Sequence, residues 1–239
     1  MIKITLKLLV WITFLTGSLA SYAQEVAGGF SYGIKLGPVV SSFSSSQPHT
    51  GLNLGVTAGG FAAYQFSDLV AIQAEVAYFQ QGGSYVQFID DTRFGAPDNF
   101  LTRNVKDANV ILHNVYIPLQ AKITPFSGSI SPSFLLGPYA DINFAATESY
   151  ERTGVIDGRV YTTASGDDVV TDQYEMFQFG AAAGFQFEFP FQGDREIVIN
   201  GTYKYGITPI KESYSYIDFN EVTEDITSNA FALTIGIQF

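Results

Sequence analysis

The stretch FQFGAAAGFQFEF, residues 177–189, alternates two kinds of side chain along its whole length. The odd positions carry Phe or Ala, and the even positions carry Gln, Gly, Ala or Glu. Side chains of an extended strand point alternately to its two faces, so this period of two predicts a β-strand with one apolar face.

The same alternation occurs in seven other places along the chain. The eight predicted strands fall at residues 30–36, 52–66, 70–78, 111–123, 134–144, 177–189, 197–207 and 231–239. No stretch after residue 24 approaches 18 consecutive apolar residues, so the pattern predicts strands and no membrane-spanning helix. The chain is therefore predicted to be all-β.

The connections between the predicted strands alternate in length. The short connections are residues 67–69, 125–129 and 190–195, the long ones are 81–108, 145–175 and 208–229, and residues 40–50 are intermediate. Short turns at one end and long loops at the other are typical of outer-membrane barrels. Because the strand number is even, both termini are expected on the short-turn, periplasmic side.

One of the long loops contains its own turn signal. Asp157-Gly158 lies between Val155-Ile156 and Arg159-Val160-Tyr161, which is a pattern of a two-residue hairpin. The loop at 145–175 is therefore expected to extend as a β-ribbon above the membrane.

The two faces of the predicted strands differ in charge. The apolar face carries no charged residue in any of the eight strands, as expected where Arg or Lys at mid-bilayer would cost about 2–4 kcal/mol. The opposite face is mostly small or polar, with Glu196 at a strand start and six charges within the strands: Lys35, Glu75, Lys122, Asp141, Glu188 and Lys204. A soluble β-sandwich with an aromatic core is the alternative, but it would carry dense charge on its wet face. The prediction is an eight-stranded antiparallel transmembrane β-barrel with short periplasmic turns and long extracellular loops.

The charges of the lumen-facing set balance. Three bases and three acids give no net charge, and an unpaired buried charge is costly, so internal pairing is expected. The heights of these residues along their strands predict Glu75 with Lys35 or Lys204, and Lys122 with Glu188. Long lumen-facing side chains fill the remaining space, and eight strands then leave no aqueous channel. An ion or proton path is the alternative interpretation of the same charges.

Composition excludes several other classes. The 239 residues include 23 acids against 12 bases, for a formal net charge of −11, and a nucleic-acid binder would need the opposite sign. Without Cys the chain has no disulfide and no thiolate metal site. Residues 1–23 have two lysines, an apolar core and the small-x-small pattern Ser21-Tyr22-Ala23, which predicts a cleaved signal peptide before a single barrel domain at 24–239.

Residues that could carry chemistry are few. The two histidines, His49 and His113, show no spacing typical of a catalytic constellation with Ser or Asp, so no catalytic residue is assigned. The long loops are acidic, and oxygen-rich loops can bind Ca²⁺, but Asp167-Asp168 and Glu224-Asp225 lack EF-hand spacing. No metal site and no cofactor is predicted.

Several segments resemble the PorT-like outer-membrane β-barrel proteins of Bacteroidota. They are Gly33-Ile34-Lys35-Leu36-Gly37, residues 115–122 (VYIPLQAK), Gly137-Pro138-Tyr139, residues 179–185 (FGAAAGF) and Tyr203-Lys204-Tyr205-Gly206-Ile207, in the order of that family. The resemblance spans residues 28–239 and implies the barrel fold and an outer-membrane location. The terminal Phe239 resembles the signal read by the barrel-assembly machinery.

The expected function is that of a non-enzymatic integral outer-membrane protein whose extracellular loops form a contact surface. The resemblance implies an alternative role as an accessory component of a protein secretion system. A narrow pore or a lipid-modifying barrel enzyme is a further alternative. Expected partners are outer-membrane lipid and lipopolysaccharide, the barrel-assembly machinery during biogenesis, and secretion-system or envelope proteins, with no nucleic acid.

Overall fold

A computed structural model describes residues 29–44, 51–90, 103–126, 128, 130–156, 159–193, 195–214 and 224–239. The predicted signal peptide, residues 1–23, lies outside the described residues. Within these ranges no helix is long and apolar enough to cross a membrane. The strands of the described part are β1 Phe30–Ser44, β2 Leu52–Gln65, β3 Val70–Asp90, β4 Arg103–Ile123, β5 Ser131–Ile156, β6 Arg159–Val169, β7 Phe177–Pro190, β8 Glu196–Gly206, β9 Lys211–Tyr214 and β10 Glu224–Gln238.

Eight of these strands form a closed ring. Their order is β1-β2-β3-β4-β5-β7-β8-β10, and β10 pairs antiparallel with β1 from Gly33 opposite Gln238 to Ser44 opposite Thr227. Every pairing within the ring is antiparallel. The predicted eight-stranded barrel is confirmed.

The short connections lie together at one end of the barrel. They join β2 to β3 at residues 66–69, β4 to β5 at 124–130 and β7 to β8 at 191–195. The start of β1 and the end of β10 lie at this same end, because Gly33 pairs with both Phe61 and Gln238. The described ends of the barrel therefore lie on its short-turn side, as expected.

The opposite end contains more strand than the sequence indicated. β3 and β4 stay paired as far as Asp90 opposite Arg103, and β5 continues to Ile156, so much of the stretches 81–108 and 145–175 is strand and not loop. β9 pairs with the start of β10 within the stretch 208–229. The apolar alternation fades there because a strand above the membrane has no lipid to face, while backbone pairing continues without that pattern.

The expected β-ribbon is confirmed by two paired strands in the stretch 145–175. β5 pairs antiparallel with β6 from Thr147 opposite Val169 to Ile156 opposite Arg159, which leaves only Asp157 and Gly158 between them. These two residues lie outside the described part of the chain.

The in-and-out register follows the sequence pattern. The apolar set of β1, Phe30, Tyr32, Ile34 and Leu36, is exposed on the outside, whereas Lys35 between them is buried in the lumen. Pro138, Phe179 and Leu233 likewise lie on the outer face of their strands. The exposed apolar band around the ring is the surface that lipid covers.

Candidate functional site

All six charged residues predicted on the inner face are buried in the lumen, and the structure brings them together as three ion pairs. Lys35 Nζ lies 2.7 Å from Glu75 Oε2, and Lys204 Nζ lies 2.6 Å from Asp141 Oδ2. Lys122 forms an ion pair with Glu188, whose carboxylate also accepts a hydrogen bond from Gln186 Nε2 at 2.8 Å.

The partner choice resolves what the sequence left open. Glu75 pairs with Lys35 rather than with Lys204, and Lys204 pairs with Asp141 on the other side of the lumen. Lys35 also donates to Asn200 Oδ1 at 3.4 Å. Each base therefore has one carboxylate, and the lumen carries no net charge from these six groups.

Lys204 lies in a cage of aromatic rings. Its Nζ is 3.9 Å from the ring centroid of Phe79, 4.4 Å from that of Tyr116 and 4.7 Å from that of Tyr139. The side chain is 1% exposed, and Gln81 Oε1 accepts a further hydrogen bond at 3.2 Å. Ring faces attract a desolvated ammonium, so the cage and Asp141 together offset the cost of burying this charge.

A glycine makes room for one wall of this cage. A Cβ at Gly180 would lie 2.6 Å from two ring atoms of Tyr139. The sequence predicts long side chains that fill the lumen, but not that Tyr116, Tyr139 and Phe79 surround one lysine. The sequence did contain a signal for this cage: the three aromatic residues face inward on three consecutive ring strands, at the height of Lys204.

The lumen is closed on the extracellular side by apolar side chains. We call this cluster the outer plug; its buried members are Phe43, Tyr85, Ala108, Val110, Leu112, Ala146, Val170, Tyr174, Ile210 and Ile226. It combines strand residues with Ile210, which precedes β9, and with Val170 and Tyr174, which flank the 3-10 turn at Thr171–Gln173. The described part of the lumen is therefore lined mainly by apolar side chains at its extracellular end.

At its periplasmic end the lumen contains a cavity of about 260 Å³. The ion pair Lys122–Glu188 lines it, together with Gln65, Thr124 and Glu196. This cavity lies on the short-turn side of the ion pair, and the caged Lys204 and the outer plug lie beyond the pair.

Lysines of the extracellular region lie on tyrosine rings. Lys106 pairs with Glu148, and its Nζ lies 5.1 Å from the ring centroid of Tyr150. Lys211 lies 5.1 Å from the ring centroid of Tyr174 and donates to Gln173 Oε1 at 3.1 Å. Burial lowers the pKa of Lys211 from its ordinary value. These two lysines therefore lie at the edge of the outer plug.

The paired strands above the ring form what we call the extracellular sheet: β3 from residue 81, β4 as far as 112, β5 from 145, and β6. On its outer face Asp107 lies opposite Glu151, and Ser149 lies between Asn109 and Asp167. A shallow cavity of about 510 Å³ is lined by these side chains. Glu151 and Asp167 of the acidic stretch 146–175 are thus displayed on a folded sheet and not on a loop.

The histidines form no catalytic arrangement in the described part of the chain. His113 lies on the outer face, where its Nδ1 is 2.6 Å from Tyr78 Oη and its ring centroid is 6.2 Å from that of Phe144. His49 lies outside the described residues. Among the described side chains no group of three or more His, Asp or Glu is arranged to hold a metal ion.

Phe239 lies at the seam that closes the ring. Its N–H donates to Tyr32 O at 2.8 Å, Tyr32 N–H donates to Phe239 O at 3.2 Å, and the two rings stack 5.7 Å apart. The guanidinium of Arg195 lies 5.5 Å from the Phe239 ring centroid. The last residue therefore contributes both backbone and side chain to closure.

Comparisons with known proteins find a family model but no curated relative. Residues 22–212 match the model described as outer membrane protein beta-barrel domain. No curated protein matches the chain.

Several solved outer-membrane proteins are similar in structure. The attachment invasion locus protein Ail of Yersinia pestis is 14% identical, with 87% of this chain and 98% of that chain covered at a TM-score of 0.40. OprG of Pseudomonas aeruginosa is 12% identical, with 87% and 95% covered at a TM-score of 0.46. The outer membrane protease OmpT of Escherichia coli is 10% identical, with 91% and 99% covered at a TM-score of 0.36. Scores at this level carry no inference about activity.

Proposed function

The chain belongs to the outer membrane protein beta-barrel domain family, and we propose that it is a non-enzymatic envelope protein whose extracellular side is a contact surface. The observation that carries this proposal is the filled lumen. From the periplasmic end it contains the Lys122–Glu188 pair, the Lys35–Glu75 pair, the caged Lys204 and the outer plug.

This filling argues against a pore. Each of the three lysines in the lumen has a carboxylate partner, so an entering ion meets no unpaired charge among them, and the outer plug consists mainly of apolar side chains. Eight strands also leave an interior just wide enough for side chains. What remains for function is the outside of the barrel, above all the extracellular sheet.

Conductance in planar lipid bilayers tests the closed lumen. The wild-type barrel should give negligible steady conductance, and Glu75→Gln should not create an open channel because the outer plug is untouched. Robust ion-selective channels that Glu75→Gln abolishes would overturn the proposal and favour the pore.

The resemblance to PorT-like proteins supports a second candidate, an accessory role in protein secretion. Crosslinking in cells followed by purification of the barrel separates the two. A secretion component should bring down the secretion machinery, whereas a free-standing contact protein should not. In both cases we propose that residues 1–23 direct export as a signal peptide and are then cleaved, and that the barrel-assembly machinery inserts the chain.

A further inference from the structure

β6 has a strand partner on one side only. It pairs with β5 along its whole length, and within the described residues no other strand or backbone group pairs with it. Within the barrel wall each ring strand, in contrast, has partners on both sides, because the barrel closes on itself. β6 is therefore a free edge of the extracellular sheet.

The part of this edge nearest the barrel is regular. From Ala164 to Val169 each residue of β6 pairs in register with β5, from Arg152 to Thr147. An irregularity follows between Arg152 and Thr153, beyond which the register shifts. We call residues 164–169 the open edge.

The open edge carries acidic charge but no other obstacle to strand addition. Edge strands are commonly blocked by charged residues, above all Lys, by Pro or by a bulge. Residues 164–169 read ASGDDV, with neither Pro nor Lys, and the irregularity lies above them. Val169 is 79% exposed. An extended segment could hydrogen-bond to every second residue of this edge.

The negative charge on the open edge favours a basic partner. Asp167 and Asp168 are both exposed, and as neighbours in a strand they point to opposite faces of the sheet. Neither forms an ion pair with a described side chain. Asp107 and Glu151 lie with Asp167 around the same shallow cavity, which adds to the negative potential.

We propose that the open edge binds an extended, basic segment of another protein by strand addition, with consecutive Lys or Arg residues opposite Asp167 and Asp168. The inference rests on the proposed contact function and names the chemistry of its partner. A second copy of this chain fits poorly, because two such edges would place carboxylates directly opposite carboxylates.

Binding of synthetic peptides to the folded barrel in detergent micelles tests this inference. The probe has a central Lys-Lys pair flanked by alternating Thr and Val, and its binding is measured by fluorescence anisotropy. Asp167→Asn with Asp168→Asn should weaken binding roughly three- to tenfold, as expected for two solvent-exposed ion pairs. Asp172→Asn is the matched control, because it removes an exposed acid from the adjacent 3-10 turn and should change binding less than twofold.

A second probe separates strand addition from simple charge attraction. Methylation of alternate backbone nitrogens on one edge of the peptide removes its donors and should abolish binding, while methylation on the other edge should not. Equal binding by both methylated peptides, equal loss in Asp172→Asn, or no binding of the basic probe would overturn the inference. Concentration-dependent self-association blocked by the two Asp→Asn changes would also overturn it.

A failure of this inference can be distinguished from a failure of the proposed function. A barrel that conducts ions fails as a closed contact protein whatever peptide it binds. A closed barrel that does not bind the peptide is consistent with the proposed function and contradicts only the strand-addition inference.

Discussion

The buried ion pairs show how single residues hold this lumen together. Removing one partner of a buried lysine–carboxylate pair destabilises the fold, because the other charge is left desolvated and unpaired. For Lys35, the groups within reach are Glu75 at 2.7 Å and Asn200 at 3.4 Å.

Glu75→Gln should therefore lower the free energy of unfolding by about 3 kcal/mol, the usual scale for breaking a buried pair. Urea unfolding in micelles, monitored by far-UV circular dichroism, measures this free energy. The double variant Lys35→Met with Glu75→Gln should recover much of the loss, because no unpaired charge remains. Equal losses in the single and double variants would contradict the pairing.

Outward-facing apolar residues allow a test of the membrane register. Ile117 and Leu233 are both exposed on the outside of the ring. Arg at either position should cost about 2–4 kcal/mol if it lies near the bilayer midplane, and less towards the interfaces.

The measurement is the yield of folded barrel in lipid vesicles and its unfolding free energy. Ser149→Arg is the control, since Ser149 is exposed on the extracellular sheet and should tolerate the charge. If both lipid-face variants insert as well as wild type, the assignment of inside and outside is wrong.

At the scale of the element, β10 closes the ring by pairing with β1, and Phe239 directly after β10 continues that contact. Phe239 contributes two backbone hydrogen bonds to Tyr32 and a stacked ring. Deleting Phe239 should slow assembly in cells and leave unassembled chain for proteases, and pulse-chase analysis of the heat-modifiable form measures this.

Phe239→Ala separates the two contributions of that residue. It keeps the backbone hydrogen bonds but removes the ring, so assembly should still slow if the ring is the signal that matters. Normal assembly of the deletion variant would contradict the prediction.

The β5–β6 hairpin is an element that the ring does not need. Replacing residues 153–163 by a short turn leaves the eight ring strands and every member of the outer plug in place. The shortened barrel should insert normally and lose no more than about 1 kcal/mol of unfolding free energy, the usual size of a single substitution, because the ring and the outer plug keep their contacts. A failure to fold would show that the hairpin supports the ring.

For the whole molecule, the closed ring and its apolar outer band predict behaviour in the cell. The protein should fractionate with outer membranes, and the folded barrel should migrate faster on gels than the heated one, because a closed ring resists detergent unfolding. Immunoblots of separated membranes check both. Recovery from the soluble periplasm would contradict a barrel in lipid.

The amino-acid sequence alone determined the ring strands, their inner and outer faces and the end of the barrel where the short turns lie. These follow from a local signal: each strand meets lipid on one side and a crowded lumen on the other, so its residues alternate with a period of two. The stretch at 177–189 carries that information without reference to any other part of the chain.

The heights of the charges along their strands already indicated the Lys122–Glu188 pair, but only the tertiary structure decided the partners of Lys204 and Glu75. Lys204 takes Asp141, and Glu75 takes Lys35, because the stagger of eight paired strands sets which residues share a height. No pattern within one strand encodes that stagger. The turn signal at 157–158 indicated the β5–β6 ribbon, but the pairing of β3 with β4 above the ring was hidden from the sequence, since strands surrounded by water on their outer face need no apolar alternation. The free edge at residues 164–169 follows from which strand lacks a second neighbour, and that is a property of the assembled sheet.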